Sequence, residues 1–148
     1  MKKLYIYYSY TGNGDKVANY LKNKNYDIRK IEVEKPLPNN FLLSMIIGGY
    51  KAMINYKEKL ISFNNDISEY DHIAIGSPIW NDRLSSPITT ALTKLDLNNK
   101  ELTFILYSGS GTNKKATSYI NNTYPTSKII NLKTPKKLNE ELEKLKRI

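Results

Sequence analysis

The chain has no cysteine among its 148 residues. Disulfides, thiolate nucleophiles and cysteine-ligated zinc or iron–sulfur sites are therefore excluded. The lack of cysteine also fits a reducing compartment. His72 is the only histidine, too little for a histidine-built metal centre, so no metal is expected. Arginine is scarce: only Arg29, Arg83 and Arg147 occur, and they form no cluster of the kind that grips nucleic acid. Long hydrophobic runs are missing too. The longest apolar-rich stretch, 41–50, falls far short of the ~20 residues of a membrane span. Met1–Tyr8 carries two lysines and a short apolar run, without the longer apolar core and small-residue cleavage site of a signal peptide. The expectation is a cytoplasmic protein with no membrane span.

What is present is an ordinary globular balance, 40% hydrophobic and 25% charged residues. One domain over residues 1–148 is expected; a chain of this length buries roughly two-thirds of its unfolded surface and needs no covalent staples. The net charge is +9. Lysines occur all along the chain, which reads as a solvated surface. An acidic partner is the alternative; nucleic acid is disfavoured because charge alone supports it.

No repeat, low-complexity block or linker divides the sequence. Strands are expected at 3–8, 28–33, 71–76, 101–107 and 127–132. Helices are expected from about Gly14 (capped by Asn13), over 40–57 with a weak point or break at Gly48-Gly49, from Pro87 to about Leu95, over 113–122, and over 137–147 with Leu138, Leu142 and Leu145 inward. Strands and helices alternate five times, with crossovers long enough for parallel connections. The fold class that follows is α/β, a doubly wound sheet of five parallel strands in the order 2-1-3-4-5. Ligands in such a sheet lie beyond the carboxyl ends of the strands, where the loops after strands 1, 3 and 4 meet.

Those loops hold the unusual residues. The first, Ser9-Tyr10-Thr11-Gly12-Asn13-Gly14, offers hydroxyls, glycines and a helix N-terminus, which together suit a phosphate. An ordinary strand-to-helix turn could use the same residues. The P-loop pattern is absent, and the dinucleotide pattern would need a glycine at Val17. The second, Gly76 to Pro87, contains the only tryptophan, Trp80, placed where it could stack on a planar ligand or cover the core edge. Asn81 readily adopts positive φ, so its peptide could flip. The third, Ser108-Gly109-Ser110-Gly111-Thr112-Asn113, would let backbone amides reach the polar edge of a ring, or serve as a flexible turn.

Over nearly its whole length the chain resembles the flavodoxins. Leu4 to Asn13 is similar to their first strand and phosphate loop. Gly48-Gly49-Tyr50-Lys51-Ala52, Tyr70 to Trp80, and Tyr107 to Gly111 are similar to a flavodoxin-like branch in order and spacing. The resemblance implies FMN as cofactor in a flavodoxin-like three-layer fold. It implies phosphate contacts from Ser9, Thr11, Gly12, Asn13 and Gly14, with Tyr10 in the same loop. Ser77, Pro78, Ile79, Trp80 and Asn81 would line the isoalloxazine, and the Asn81–Asp82 peptide would offer a carbonyl to flavin N5–H. Ser108, Gly109, Ser110 and Gly111 would form the loop at the pyrimidine edge. The chain departs from the family at Gly14, where Thr or Ser is usual, and in 108–113, which has no aromatic to cover the other flavin face. Its basic charge also departs from the usual acidic one.

The resemblance implies a one-electron carrier serving redox partner proteins, acidic ones given the basic surface. An FMN-dependent NAD(P)H:quinone or related oxidoreductase is the alternative, and a basic nucleic-acid-binding module lacking FMN is an alternative of another class. A phosphorelay receiver is excluded because Ser9-Tyr10 and Gly76-Ser77 stand where it needs acids. A cysteine phosphatase is excluded by the missing nucleophile.

Overall fold

A computed structural model describes all 148 residues. In chain order the elements are β1 (Lys3–Tyr7), α1 (Asn13–Lys22), β2 (Tyr26–Lys30), α2 (Phe41–Met53), β3 (His72–Trp80), β4 (Arg83–Leu84), α3 (Ser86–Leu92), β5 (Glu101–Ser108), α4 (Lys114–Thr123), β6 (Lys128–Lys133) and a 3-10 helix (Asn139–Arg147). The parallel sheet runs β2-β1-β3-β5-β6. Counting parallel strands alone, this is the expected order 2-1-3-4-5. The additional strand, β4, has two residues and pairs antiparallel with the end of β3.

Successive side chains on a strand point to opposite faces, and β1 distributes them accordingly. Leu4 and Ile6 join Ile73, Ile75, Phe104 and Leu106 in one core layer, which Ile88 and Leu92 of α3 and Ile120 of α4 cover. Tyr5 and Tyr7 enter the other layer with Ala74, Ile105, Tyr107 and Leu132, covered by Val17, Ala18 and Leu21 of α1 and by Leu142 and Leu145 of the 3-10 helix. Burial on both faces is what a parallel sheet requires.

Several local expectations change. The third strand runs on to Trp80, so 77–80, expected in a loop, is strand, and Arg83–Leu84 pairs back on it. Asn13 does not cap α1. Gly12 occupies the cap position at φ +94°, and Asn13 Oδ1 instead accepts from the backbone N–H of Lys136 at 3.0 Å. The second strand begins earlier, at Tyr26, whose ring is buried beside His72. Gly48 and Gly49 do not break α2; both are buried against the β3–β4 hairpin. The last helix is 3-10 and starts at Asn139; Leu142 and Leu145 are buried on it, whereas Leu138 precedes it and is half-buried.

Candidate functional site

The loop after β1 is closed by Ser9. Its Oγ accepts hydrogen bonds from the backbone N–H of Gly12 at 3.2 Å and of Gly14 at 3.1 Å. The left-handed Gly12 makes this turn possible at little steric cost. The N–H groups of Tyr10, Thr11 and Asn13 donate to no group of the protein. They lie at the positive end of the α1 dipole, where an anion is favoured.

One acid stands in the first turn of α1. Asp15 Oδ1 accepts from Tyr7 Oη and from Lys30 Nζ, each at 2.8 Å. Burial raises its pKa, but the hydrogen bonds from Lys30 and Tyr7 outweigh this and hold it below its ordinary value. Lys30 thus neutralises the acid under the loop.

A second lysine arrives from the other end of the chain. Lys136 Nζ donates to the Thr11 carbonyl at 3.0 Å. A Cβ on Gly12 would sit 3.3 Å from Lys136 Cδ and Nζ, so the lysine stem rests on that glycine. The segment carrying Lys136 turns sharply after β6 through Thr134, a non-glycine residue at φ +43°.

Gly14 is explained by Tyr107. A Cβ there would lie 2.5 Å from Tyr107 Oη and 2.8 Å from Tyr7 Cδ2. Tyr107 Oη donates to the Tyr8 carbonyl, and burial pushes this phenol well above its ordinary pKa. The room that a Thr or Ser side chain would need at position 14 is taken by a tyrosine of β5. Nearby Tyr5 Oη is buried without a hydrogen-bond partner.

Beyond β3 the chain reverses in a two-residue turn, Asn81 at φ +49° and Asp82 at φ +58°, between paired Trp80 and Arg83. Two left-handed residues give the type I′ turn that matches the twist of a hairpin. The turn is anchored: Asp82 Oδ2 accepts from the N–H of Lys115 at 3.1 Å and Asp82 O from that of Ala116 at 2.9 Å, capping α4. Arg83 Nη1 donates to the Asn81 carbonyl at 3.0 Å, so the carbonyl assigned to a flavin by resemblance already has a partner. Trp80 is only 9% exposed. Its indole lies on Gly48, where a Cβ would come within 2.8 Å, and meets Tyr8 edge to face at 5.8 Å.

In the third loop Ser108 Oγ accepts from the Gly111 N–H at 3.0 Å. Gly111 is left-handed, at φ +74°. The N–H groups of Gly109 and Ser110 donate to nothing in the protein, and a Cβ on Gly109 would meet open space.

These loops enclose a cavity of about 560 Å³, within the size range of small-molecule sites. Of the residues selected from sequence, Tyr10, Thr11, Asn13, Pro78, Ile79, Trp80, Ser108 and Gly109 line it. Ser9, Gly12 and Gly14 shape the first loop from behind. Ser77 is buried, its Oγ bonded to the Pro78 carbonyl and to Ser85. Asp82 and Ser110 border an adjoining hollow of about 360 Å³, and Asn81 and Gly111 line neither space. Sequence reasoning missed the α2 wall (Phe41, Ser44 and Met45), Tyr107 of β5, and Thr134, Lys136 and Lys137 after β6. A positive-charge search restricted to segments following strands would have found the two lysines.

Fold and crevice together define a doubly wound α/β protein with a mixed polar and apolar ligand cleft at its switch point. The chain belongs to the flavodoxin family, whose model matches residues 2–147. Among solved structures it is similar to a flavoprotein from Lactobacillus acidophilus NCFM in complex with FMN: 24% identity, 94% of this chain and 97% of that one, TM-score 0.70. The apo form of the flavoprotein from that organism is also similar, with 20% identity over 88% and 90% of the two chains and TM-score 0.59. So is an azoreductase from Bacillus anthracis, at 13% identity over 98% and 93%, TM-score 0.51. At these identities the likeness is one of fold. No curated protein matches the chain.

FMN is the cofactor of the family, and the residues present fit it. Free backbone donors beside Lys136 suit a phosphate, Pro78, Ile79 and Trp80 supply apolar surface for a ring, and the unpartnered Gly109 N–H suits a polar ring edge. No group of three His, Cys, Asp or Glu side chains could hold a metal ion. No helix is long and apolar enough to cross a membrane.

Proposed function

We propose that this protein binds FMN in the crevice between the β1, β3 and β5 loops and carries single electrons between redox proteins in the cytoplasm. The observation that carries the reading is that one cavity is lined both by the loop with free N–H groups and Lys136 and by apolar Pro78, Ile79 and Trp80. Bound FMN would supply reversible electron transfer. The chain would bind and orient it. The N–H groups of Tyr10, Thr11 and Asn13, with Lys136, would hold the phosphate on the turn that Gly12 permits, and Lys30 would keep Asp15 from repelling it. Gly109 and Ser110 would offer N–H groups to the ring. The net charge of +9 supports an acidic redox partner.

The test is an FMN titration followed by visible absorption during stepwise reduction. The reading expects quenched flavin fluorescence, stoichiometric uptake, two resolved one-electron steps and no sustained NAD(P)H oxidation by the protein alone. No uptake at high FMN overturns it. A second reading, an FMN-dependent NAD(P)H oxidoreductase, draws support from Phe41 and Met45, which overhang the cavity and could cover a planar acceptor. Steady NAD(P)H turnover would move that reading to first place.

A further inference from the structure

Helix α2 is turned inside out. The side it lays against the protein is mostly small: Ser44, Gly48, Gly49 and Ala52 are its buried residues, with half-buried Ile47 also packed on the core. The side it shows to solvent is large and apolar. Leu42, Ile46 and Tyr50, spaced by four residues, are 69%, 62% and 59% exposed, and Met53 continues the same face. Its first turn adds Phe41, Leu43 and Met45, and the segment behind it adds Ile54 and Tyr56, all exposed. A helix that is hydrophobic all round belongs inside a larger packed body.

Leu42, Ile46, Tyr50 and Met53 form one stripe along the helix, and the other five residues flank it. Taking ~200 Å² for a whole residue of this size, these nine side chains expose on the order of 1,000 Å². A monomer's largest apolar patch is ordinarily about 300–600 Å². A standard interface takes about 800 Å² from each partner. Along α2 itself the patch carries no exposed charge; at its C-terminal edge Lys51 Nζ lies over the Tyr56 ring at 4.7 Å and Lys57 is exposed. The only ionic residue of α2, Lys51, is turned inward, 3.0 Å from Glu58, in a pair that is 17% and 5% exposed. Ser86 Oγ donates to the same carboxylate oxygen at 2.7 Å.

We infer that this face is the interface of a homodimer, the α2 helices of two copies packing across a two-fold axis. Three features favour a second copy over other occupants. An interface of permanent subunits is larger and more apolar than a transient redox docking site, which is small and polar. A helix that binds a membrane surface carries lysine or arginine along its polar face, and α2 has none there. A two-fold contact places each patch on its own image, and a patch with no exposed charge along α2 tolerates that despite the net charge of +9. Phe41 and Met45 lie both in the patch and on the cavity wall, so the dimer brings the partner helix to the mouth of the site.

Sedimentation equilibrium of the full chain, with and without FMN, tests the inference. Across the micromolar range the expected species has twice the 17.1 kDa chain mass. The double variant Ile46→Lys/Met53→Lys, neither residue lining the cavity, is expected to run at the single-chain mass. It should keep the helical circular dichroism of the parent, and its dimer affinity should fall at least a hundredfold. A parent that stays monomeric at the highest concentration overturns the inference, whatever vesicles or other proteins it binds. A double variant that still dimerises overturns it as well, since the contact then lies elsewhere. Flavin uptake is read separately by absorption, so failure of the dimer and failure of the flavin reading are told apart.

Discussion

Helices α1 and α2 flank the same crevice, yet they solve opposite packing problems. α1 buries Val17, Ala18 and Leu21 and turns Asn19 and Lys22 to solvent. α2 buries Ser44, Gly48, Gly49 and Ala52 and exposes leucine, isoleucine, methionine and tyrosine. The first helix is stabilised by its own chain. The second is held by close approach, its glycines letting backbone meet Trp80 and the Asn81 turn, while its apolar energy stays unspent in the single copy. The difference separates what holds the fold from what is available to a partner.

The sharpest way to break the comparison is to truncate one apolar residue on each helix. Leu21→Ala removes a fully buried side chain and should cost about 2–5 kcal/mol in urea unfolding. Ile46→Ala, measured at chain concentrations low enough to dissociate any dimer, should stay within about 0.5 kcal/mol. Equal costs would mean that α2 is covered within its own chain.

A smaller effect is expected from the glycines. Gly48→Ala drives a methyl to 2.8 Å from the Trp80 ring, an overpacking cost of about 1–3 kcal/mol. It should also shift the emission of the only tryptophan. Gly49→Ala meets nothing nearer than Asn81 Cβ at 3.4 Å, an ordinary contact. The helix-propensity gain, about 1 kcal/mol at most, should then leave that variant neutral or slightly more stable. If the two variants behave alike, α2 does not rest on Trp80 as described.

The proposed phosphate loop yields a third contrast. Lys136 lies across the loop, whereas Lys16 lies on α1 without such a contact. A charge-assisted hydrogen bond to an anion contributes about 1.5–3 kcal/mol, less for an exposed lysine. Lys136→Ala should therefore weaken FMN binding roughly tenfold and flatten its salt dependence, and Lys16→Ala should change it less than twofold. Fluorescence titration at two ionic strengths reads both.

Strand order was legible because alternation of strands and helices admits few parallel topologies. The three loops were legible because their residue types are unusual and the topology gathers them. Lys136 was not, since its partner Thr11 lies 125 residues away and only its place after the last strand of the sheet marked it. Trp80 was legible only by half: the lone tryptophan was placed in a loop after a strand, but it ends β3, and whether it lies open or wedged on Gly48 depends on where α2 docks. The Gly48-Gly49 pair read as a weak point or break because glycine weakens a helix, and tertiary contact with Trp80 and Asn81 reversed that meaning. Gly14 looked like a missing hydroxyl until Tyr107, on a distant strand, was seen to fill the space.

The smallest expected effect concerns His72 at the start of β3. Its ring is buried, with Nδ1 at 3.1 Å from Tyr26 Oη and Nε2 at 2.9 Å from Thr103 Oγ1. Burial lowers its pKa below the ordinary 6.5; Glu101 pulls the other way, and Lys3 and Lys128 add to the lowering. The unfolded chain therefore takes up a proton near pH 6.5 that the folded chain resists. Stability is fully present above that pH and declines as pH falls toward the depressed folded value. Asp15 and Glu141 also have lowered values, but an unfolded carboxylate titrates near 4, so their contribution is lost only at more acidic pH. With one histidine in the chain, the interval from about pH 7 to 5 isolates His72. His72→Gln keeps an acceptor for Tyr26 and a donor for Thr103 without a titrating group. Urea midpoints of the parent should fall over that interval while those of the variant stay level. Parallel curves would mean that the His72 ring accepts its proton inside the fold.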